Sequence, residues 1–151
     1  MYPGVHAVDK PAHQAMVMAG SGRSISYADL DRRSVQLARV FDSYGLSPTA
    51  TVAVACENRL EWAEMIWAAA RSGRCLAPVN WHLGARELSE VLRASGAELL
   101  LAGPASQTAL RGCPRHHRRW RSMATELCLT TRPRSRPCRP IHFPASGWVA
   151  A

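Results

Sequence analysis

Four groups of residues in this chain of 151 residues are of types that could do chemistry. Gly20-Ser21-Gly22-Arg23-Ser24 is the nearest approach to a phosphate loop, because clustered glycines let backbone amides converge on an anion. It lacks the spacing of such loops and the lysine that would complete the charge, and a turn between two short strands accounts for it. Cys113, His116, His117, Cys128, Cys138 and His142 are metal-ligating types, but their gaps match no standard zinc spacing and the chain between them is rich in Arg and Pro. Arg115, Arg118, Arg119 and Arg121 surround Trp120, a combination that grips phosphates and stacks on a base. Any peptide of this composition binds nucleic acid nonspecifically at low salt. Trp62, Trp67 and Trp81 are large enough to line an apolar tunnel. The helical spacing around Trp62 makes core packing its better account, and for Trp67 and Trp81 both readings stay open. From these groups no catalytic, cofactor-binding or metal-ligating residue is assigned.

Composition narrows the class of protein. Hydrophobic residues make up 47% of the chain, well above the level of a disordered polymer, and the length suits one domain with one core. No apolar run approaches the roughly 20 residues needed to cross a bilayer, and the first residues lack the basic start and apolar block of a secretory signal. A cytoplasmic location is therefore expected. The net charge of +8 is unevenly placed. Residues 111–151 hold nine arginines and one acid, Glu126, so residues 1–110 carry ten basic and ten acidic residues and are neutral. The pI of about 10.1 describes a basic tail on an ordinary body. Five cysteines without an export signal argue against a disulfide framework, and the apolar neighbours of Cys56 and Cys75 suggest small buried hydrophobes.

The elements that would position any site can be read in order. Residues 14–19 suit a short strand, Gly20-Ser21-Gly22 a turn, and Ser24-Ile25-Ser26 a second brief strand. Ser26 then caps a helix, with Asp29 three residues on completing a capping box. Its apolar stripe is Tyr27, Leu30, Leu37, Ala38, Phe41 and Tyr44, and Gly45 stops it. Thr51 to Ala55 is a charge-free, β-branched run suited to a strand covered on both faces. Asn58 with Glu61 repeats the capping pattern before a second helix whose inward stripe is Trp62, Ile66, Ala69 and Ala70, ending at Gly73. Cys75 to Val79 reads as another buried strand, Ala85 to Ser95 as a third helix with Leu88, Val91 and Leu92 inward, and Glu98 to Ala102 as a third strand in this series. Strand, helix, strand, helix, strand with short connections predicts an α/β fold: a partial parallel sheet with right-handed βαβαβ crossovers.

These same segments carry a resemblance. Met1-Tyr2-Pro3-Gly4-Val5-His6-Ala7 and Lys10-Pro11-Ala12 are similar to the start of many bacterial fatty-acyl-CoA synthetases. Ile25-Ser26-Tyr27-Ala28-Asp29-Leu30-Asp31-Arg32-Arg33-Ser34 matches that family's T-Y-x-E-L segment and the helix behind it. Val52-Ala53-Val54 leading to Glu57-Asn58-Arg59 resembles its strand and the following helix start. Trp67 to Gly73 with Pro78-Val79-Asn80-Trp81-His82-Leu83 is the nearest match, and Glu87-Leu88 and Ala94 to Ala97 continue in register. Thr49-Ala50 stands where the family commonly has Gly-Asp. Over residues 3 to 105 the chain thus resembles the AMP-forming acyl-CoA synthetases, adenylate-forming enzymes several times its length. The resemblance implies part of the large N-terminal domain of such an enzyme. The parent reaction uses ATP and magnesium to make an acyl-adenylate from a carboxylic acid and then transfers the acyl group to coenzyme A. The family's Ser/Thr/Gly-rich loop ending in Lys, its Tyr-x-x-Thr-Glu segment and its essential C-terminal lysine have no counterpart here, and Lys10 is the only lysine. Activity as a ligase is therefore not expected of this chain alone, and ATP, Mg and CoA belong to the full-length enzyme.

The expected division is residues 1–105 as the N-terminal part of a synthetase domain and 106–151 as an Arg/Pro-rich disordered tail. Prolines at 114, 133, 137, 140 and 144 remove backbone donors, and no period of 2.0 or 3.6 is visible there. One lysine against eighteen arginines points to GC-rich coding DNA, whose out-of-frame translation yields this composition. A frameshift near codons 105–111 explains such a tail. The alternative is a small interaction module whose arginine-rich arm binds nucleic acid or an acidic partner.

Overall fold

The computed structural model describes residues 3–112, 121–124 and 128–129. It begins with a helix that the sequence reading did not anticipate, α1 (Pro3–Asp9). An antiparallel hairpin follows, β1 (Gln14–Val17) and β2 (Ser24–Ser26). Then come α2 (Tyr27–Ser43), β3 (Thr51–Ala55), α3 (Glu61–Arg71), β4 (Cys75–Pro78), α4 (Ala85–Ala94) and β5 (Leu99–Ala102). A 3₁₀ turn (Pro104–Ser106), α5 (Gln107–Gly112), β6 (Arg121–Ala124) and β7 (Cys128–Leu129) complete the described elements. The larger sheet has the order β4-β3-β5-β6-β7, parallel from β4 to β6, with β7 antiparallel to β6. The α/β class and the parallel crossovers expected from the sequence are those observed.

Helix starts and stops follow local chemistry. Ser26 Oγ accepts from the Asp29 amide at 3.1 Å and donates to Asp29 Oδ2 at 3.2 Å, the reciprocal cap expected at α2. Gly73 and Gly96, read as stops, have φ of +75° and +64°, a conformation that glycine adopts without a Cβ penalty. At α3 the expectation fails. Its first turn is capped at Leu60 with no side-chain bond, Asn58 is exposed, and Arg59 instead reaches forward to Glu61.

Alternation along the strands divides the core into two layers. Val52 and Val54 of β3 with Leu99 and Leu101 of β5 face α2 and α3, meeting Leu37, Phe41, Met65 and Ala68. Ala53 and Ala55 with Leu100 and Ala102 face the other way, against Leu88 and Leu92 of α4 and Ala109 and Leu110 of α5. The hairpin covers a smaller cluster of Ile25, Leu30 and Leu60. β3 is thus buried on both faces, as its sequence predicts.

Three burial expectations are corrected. Of the predicted α3 stripe, Ala69 is buried and Trp62 packs on the core, but Ile66 and Ala70 are exposed. The buried face is Glu64, Met65, Ala68 and Ala69, so the helix is turned about its axis. The deciding contact is polar: Glu64, buried in the α2–α3 seam, accepts from Arg33 Nη1 at 3.1 Å. Asp31 of α2 likewise takes Arg71 of α3 at 2.5 Å. Val91 of α4 is exposed rather than inward. β4 is not a buried central strand, since it lies at the sheet's edge and Cys75 is exposed.

Within the segment beyond residue 105, Ser106 ends the 3₁₀ turn, residues 107–112 are helical, and 121–124 and 128–129 are strands. The remaining positions for which disorder is expected lie outside the described residues. No helix among the described residues is long and apolar enough to cross a membrane.

Candidate functional site

In an open parallel sheet the natural ligand crevice lies outside the carboxyl ends of the strands, where successive crossovers reverse direction. Here β3 connects to β4 on one side, and β4 then crosses back to β5 on the other, so the reversal falls between β3 and β5. Cys56 and Glu57 leave β3 at this point, and Gly103 leaves β5. At this point the strand ends are tied to one another. Gly103 N–H donates to Ala55 O at 2.9 Å, Ser106 Oγ donates to the same carbonyl at 2.7 Å, and Ser106 N–H returns to Gly103 O at 3.1 Å.

Charged side chains lie beside these ties. Arg59 meets Glu61 in a two-pronged contact of 2.9 and 3.1 Å and lies 3.5 Å from Glu57. Trp62 Nε1 donates to Glu57 O at 3.1 Å, tying the start of α3 to the same corner. Burial pushes the Glu61 carboxyl up, but its bond to Arg59 and other favourable contacts outweigh this and hold it below its usual range. An ionised carboxylate already bonded to a guanidinium is a poor general base at neutral pH. Burial pushes the Cys56 thiol up to about 11, so at neutral pH it is protonated and a poor nucleophile. The corner is built as a brace, and its chemistry is to hold two strand ends together.

Cys56 gives this reading a pH signature. A thiol whose folded value lies near 11, above the ordinary 9.0, adds stability that is intact below about pH 9 and is lost as pH rises towards 11. At pH 8 its thiolate fraction is lower than that of a free cysteine by a factor on the order of 100. Alkylation with iodoacetamide, followed by peptide mass spectrometry, should leave Cys56 essentially unmodified in the native protein and modify it fully in urea. Equal labelling in both states would contradict its burial.

Gly103 supplies a second test. An added Cβ would meet Glu57 Oε2 and come within 2.7 Å of Cys56 Cβ and 3.1 Å of its Cα. Gly103→Ala should lower stability by about 1–3 kcal/mol through overpacking. Gly20→Ala is the control, because nothing lies within 4 Å of its added Cβ, and it should change stability by less than about 0.5 kcal/mol. Urea midpoints of the two variants distinguish these outcomes.

The groups singled out in the sequence take other roles. Gly20 to Arg23 lie in the hairpin turn and Ser24 opens β2, with Ser21 and Gly22 amides both donating to Met18 O, at 3.3 and 2.8 Å, and therefore not free to converge on an anion. Trp62 packs against the main core and Trp67 against the cluster beneath the hairpin. Trp81 stacks on His82 with ring centroids 3.4 Å apart, in the turn between β4 and α4. Arg121 is the first residue of β6, its Cα opposite Leu99, while Arg115, Arg118 and Arg119 lie outside the described residues. Cys128 lies in β7, and Cys113, His116, His117, Cys138 and His142 also fall outside. Among the described residues no group of three or more His, Cys, Asp or Glu is placed to hold a metal ion. The corner of Cys56, Glu57, Arg59, Glu61, Gly103 and Ser106 was missed in the sequence. Its one local signal is the alternation Glu57, Arg59, Glu61 directly after a charge-free strand.

Comparison with known proteins follows the same scaffold. A family model described as AMP-binding enzyme matches residues 5–138, past residue 105, where composition drew its boundary. A fatty acid–[acyl-carrier-protein] ligase of Streptomyces coeruleorubidus is 36% identical over 95 residues, covering 63% of this chain and 18% of that protein. A feruloyl-CoA synthase of an Amycolatopsis species is 34% identical over 92 residues, covering 61% of the chain and 18% of the relative. The chain therefore spans about a fifth of the length of these relatives. Among solved structures, a Mycobacterium tuberculosis fatty acyl CoA synthetase superposes with a TM-score of 0.71 at 23% identity, covering 80% of this chain and 25% of that one. The N-terminal subdomain of NpsA from Klebsiella oxytoca gives 0.65 at 24% identity, covering 81% and 29%. The family model covers most of the chain, and the chain belongs to the AMP-binding enzyme family.

Proposed function

We propose that this chain contributes the N-terminal scaffold of a carboxylic-acid-activating ligase and does not catalyse acyl activation by itself. The full reaction forms an acyl-adenylate from an acid and ATP and passes the acyl group to a thiol. The family match supports the parent chemistry, and the relatives' names point to acyl thioester formation. One observation carries the second half of the proposal. Adenylation needs positive charge positioned on the departing pyrophosphate, and the single lysine, Lys10, is an exposed residue just after α1. The only glycine cluster that resembles a phosphate loop has committed its Ser21 and Gly22 amides to the hairpin.

The test is acid-dependent ATP–pyrophosphate exchange across a panel of fatty and aromatic acids. Purified chain alone should give no exchange above the buffer rate. Exchange by the chain alone would overturn the proposal. A frameshift within the parental gene is our reading of the arginine-rich segment, although the family model matches as far as residue 138, and translation of the resequenced genomic DNA in all three frames checks it. Resumption of a Ser/Thr/Gly-rich loop ending in Lys in another frame supports it; no such loop in any frame refutes it.

A further inference from the structure

We draw no further inference here: the strongest candidate, the outer edge of β4 with exposed Cys75, carries nothing because no described strand pairs with it and nothing in the structure shows what covers it.

Discussion

Met65→Ala should lower the unfolding free energy by about 2–5 kcal/mol, whereas Ile66→Ala, one position along the same helix, should change it by less than about 0.5 kcal/mol. The two residues are adjacent and similar in size, so any difference reports which face of α3 meets the sheet. Met65 is 5% exposed and packs with Val52, Val54, Leu99 and Leu101, and its truncation leaves a cavity between helix and sheet. Ile66 is 46% exposed, and much of its surface stays in water in either state. Urea unfolding of the two variants beside the parent chain is the measurement. A larger loss from Ile66→Ala than from Met65→Ala would restore the orientation read from the sequence and refute the one observed.

Arg74→Met should cost about 2–4 kcal/mol, and Asp42→Ala less than about 1 kcal/mol, although the two residues form one ion pair. Arg74 is buried just before β4, with its guanidinium 5.7 Å from the Phe41 ring. Nη2 donates to Leu46 O at 2.6 Å and to Asp42 Oδ1 at 2.8 Å, and Nε donates to Ser47 O at 3.1 Å. Methionine keeps much of the apolar stem but takes the donor from the buried Leu46 carbonyl, whereas Ser47 O keeps the Ala50 amide at 3.1 Å, so the cost falls on the Leu46 side. Asp42 is 67% exposed on its side chain, so water replaces its partner readily. If Asp42→Ala instead proves as damaging as Arg74→Met, the ion pair rather than the carbonyl tie holds this corner.

The uneven legibility of the sequence has physical causes. β3 and β5 were plain because a short charge-free run between helices suits a strand covered on both faces. The start of α2 was equally plain, since Ser26 and Asp29 satisfy each other within one turn, without any distant partner. The face of α3 was not. Trp62, Ala63, Met65, Ile66, Trp67, Ala68, Ala69 and Ala70 are apolar almost all round, so periodicity leaves the rotation undetermined, and the tie is broken by Glu64 meeting Arg33 from 31 positions away. The edge position of β4 was equally hidden. Four apolar residues read the same whether one neighbour or two lie alongside, and strand order depends on crossovers that span the chain. β6 was lost for a different reason, because the arginines and prolines around it dominate any window that contains it. Of the candidate site, the glutamate–arginine alternation was visible, but Gly103 joins it across 46 residues and leaves no local trace.

The strand order has a consequence for how such a chain is made. β3 stands inside the sheet, yet both strands that hydrogen-bond to it, β4 and β5, come later in the sequence. As the polypeptide leaves the ribosome, the run from Thr51 to Ala55 emerges with its apolar residues on both faces and its amides unpaired until residue 78 and then residue 102 have followed. The hairpin of β1 and β2, by contrast, closes on itself after 26 residues. Synthesis therefore presents a nascent segment that must be held back from premature pairing. Slowed translation or chaperone capture between codons 55 and 102 should then affect the yield of soluble protein more than the same treatment before codon 50.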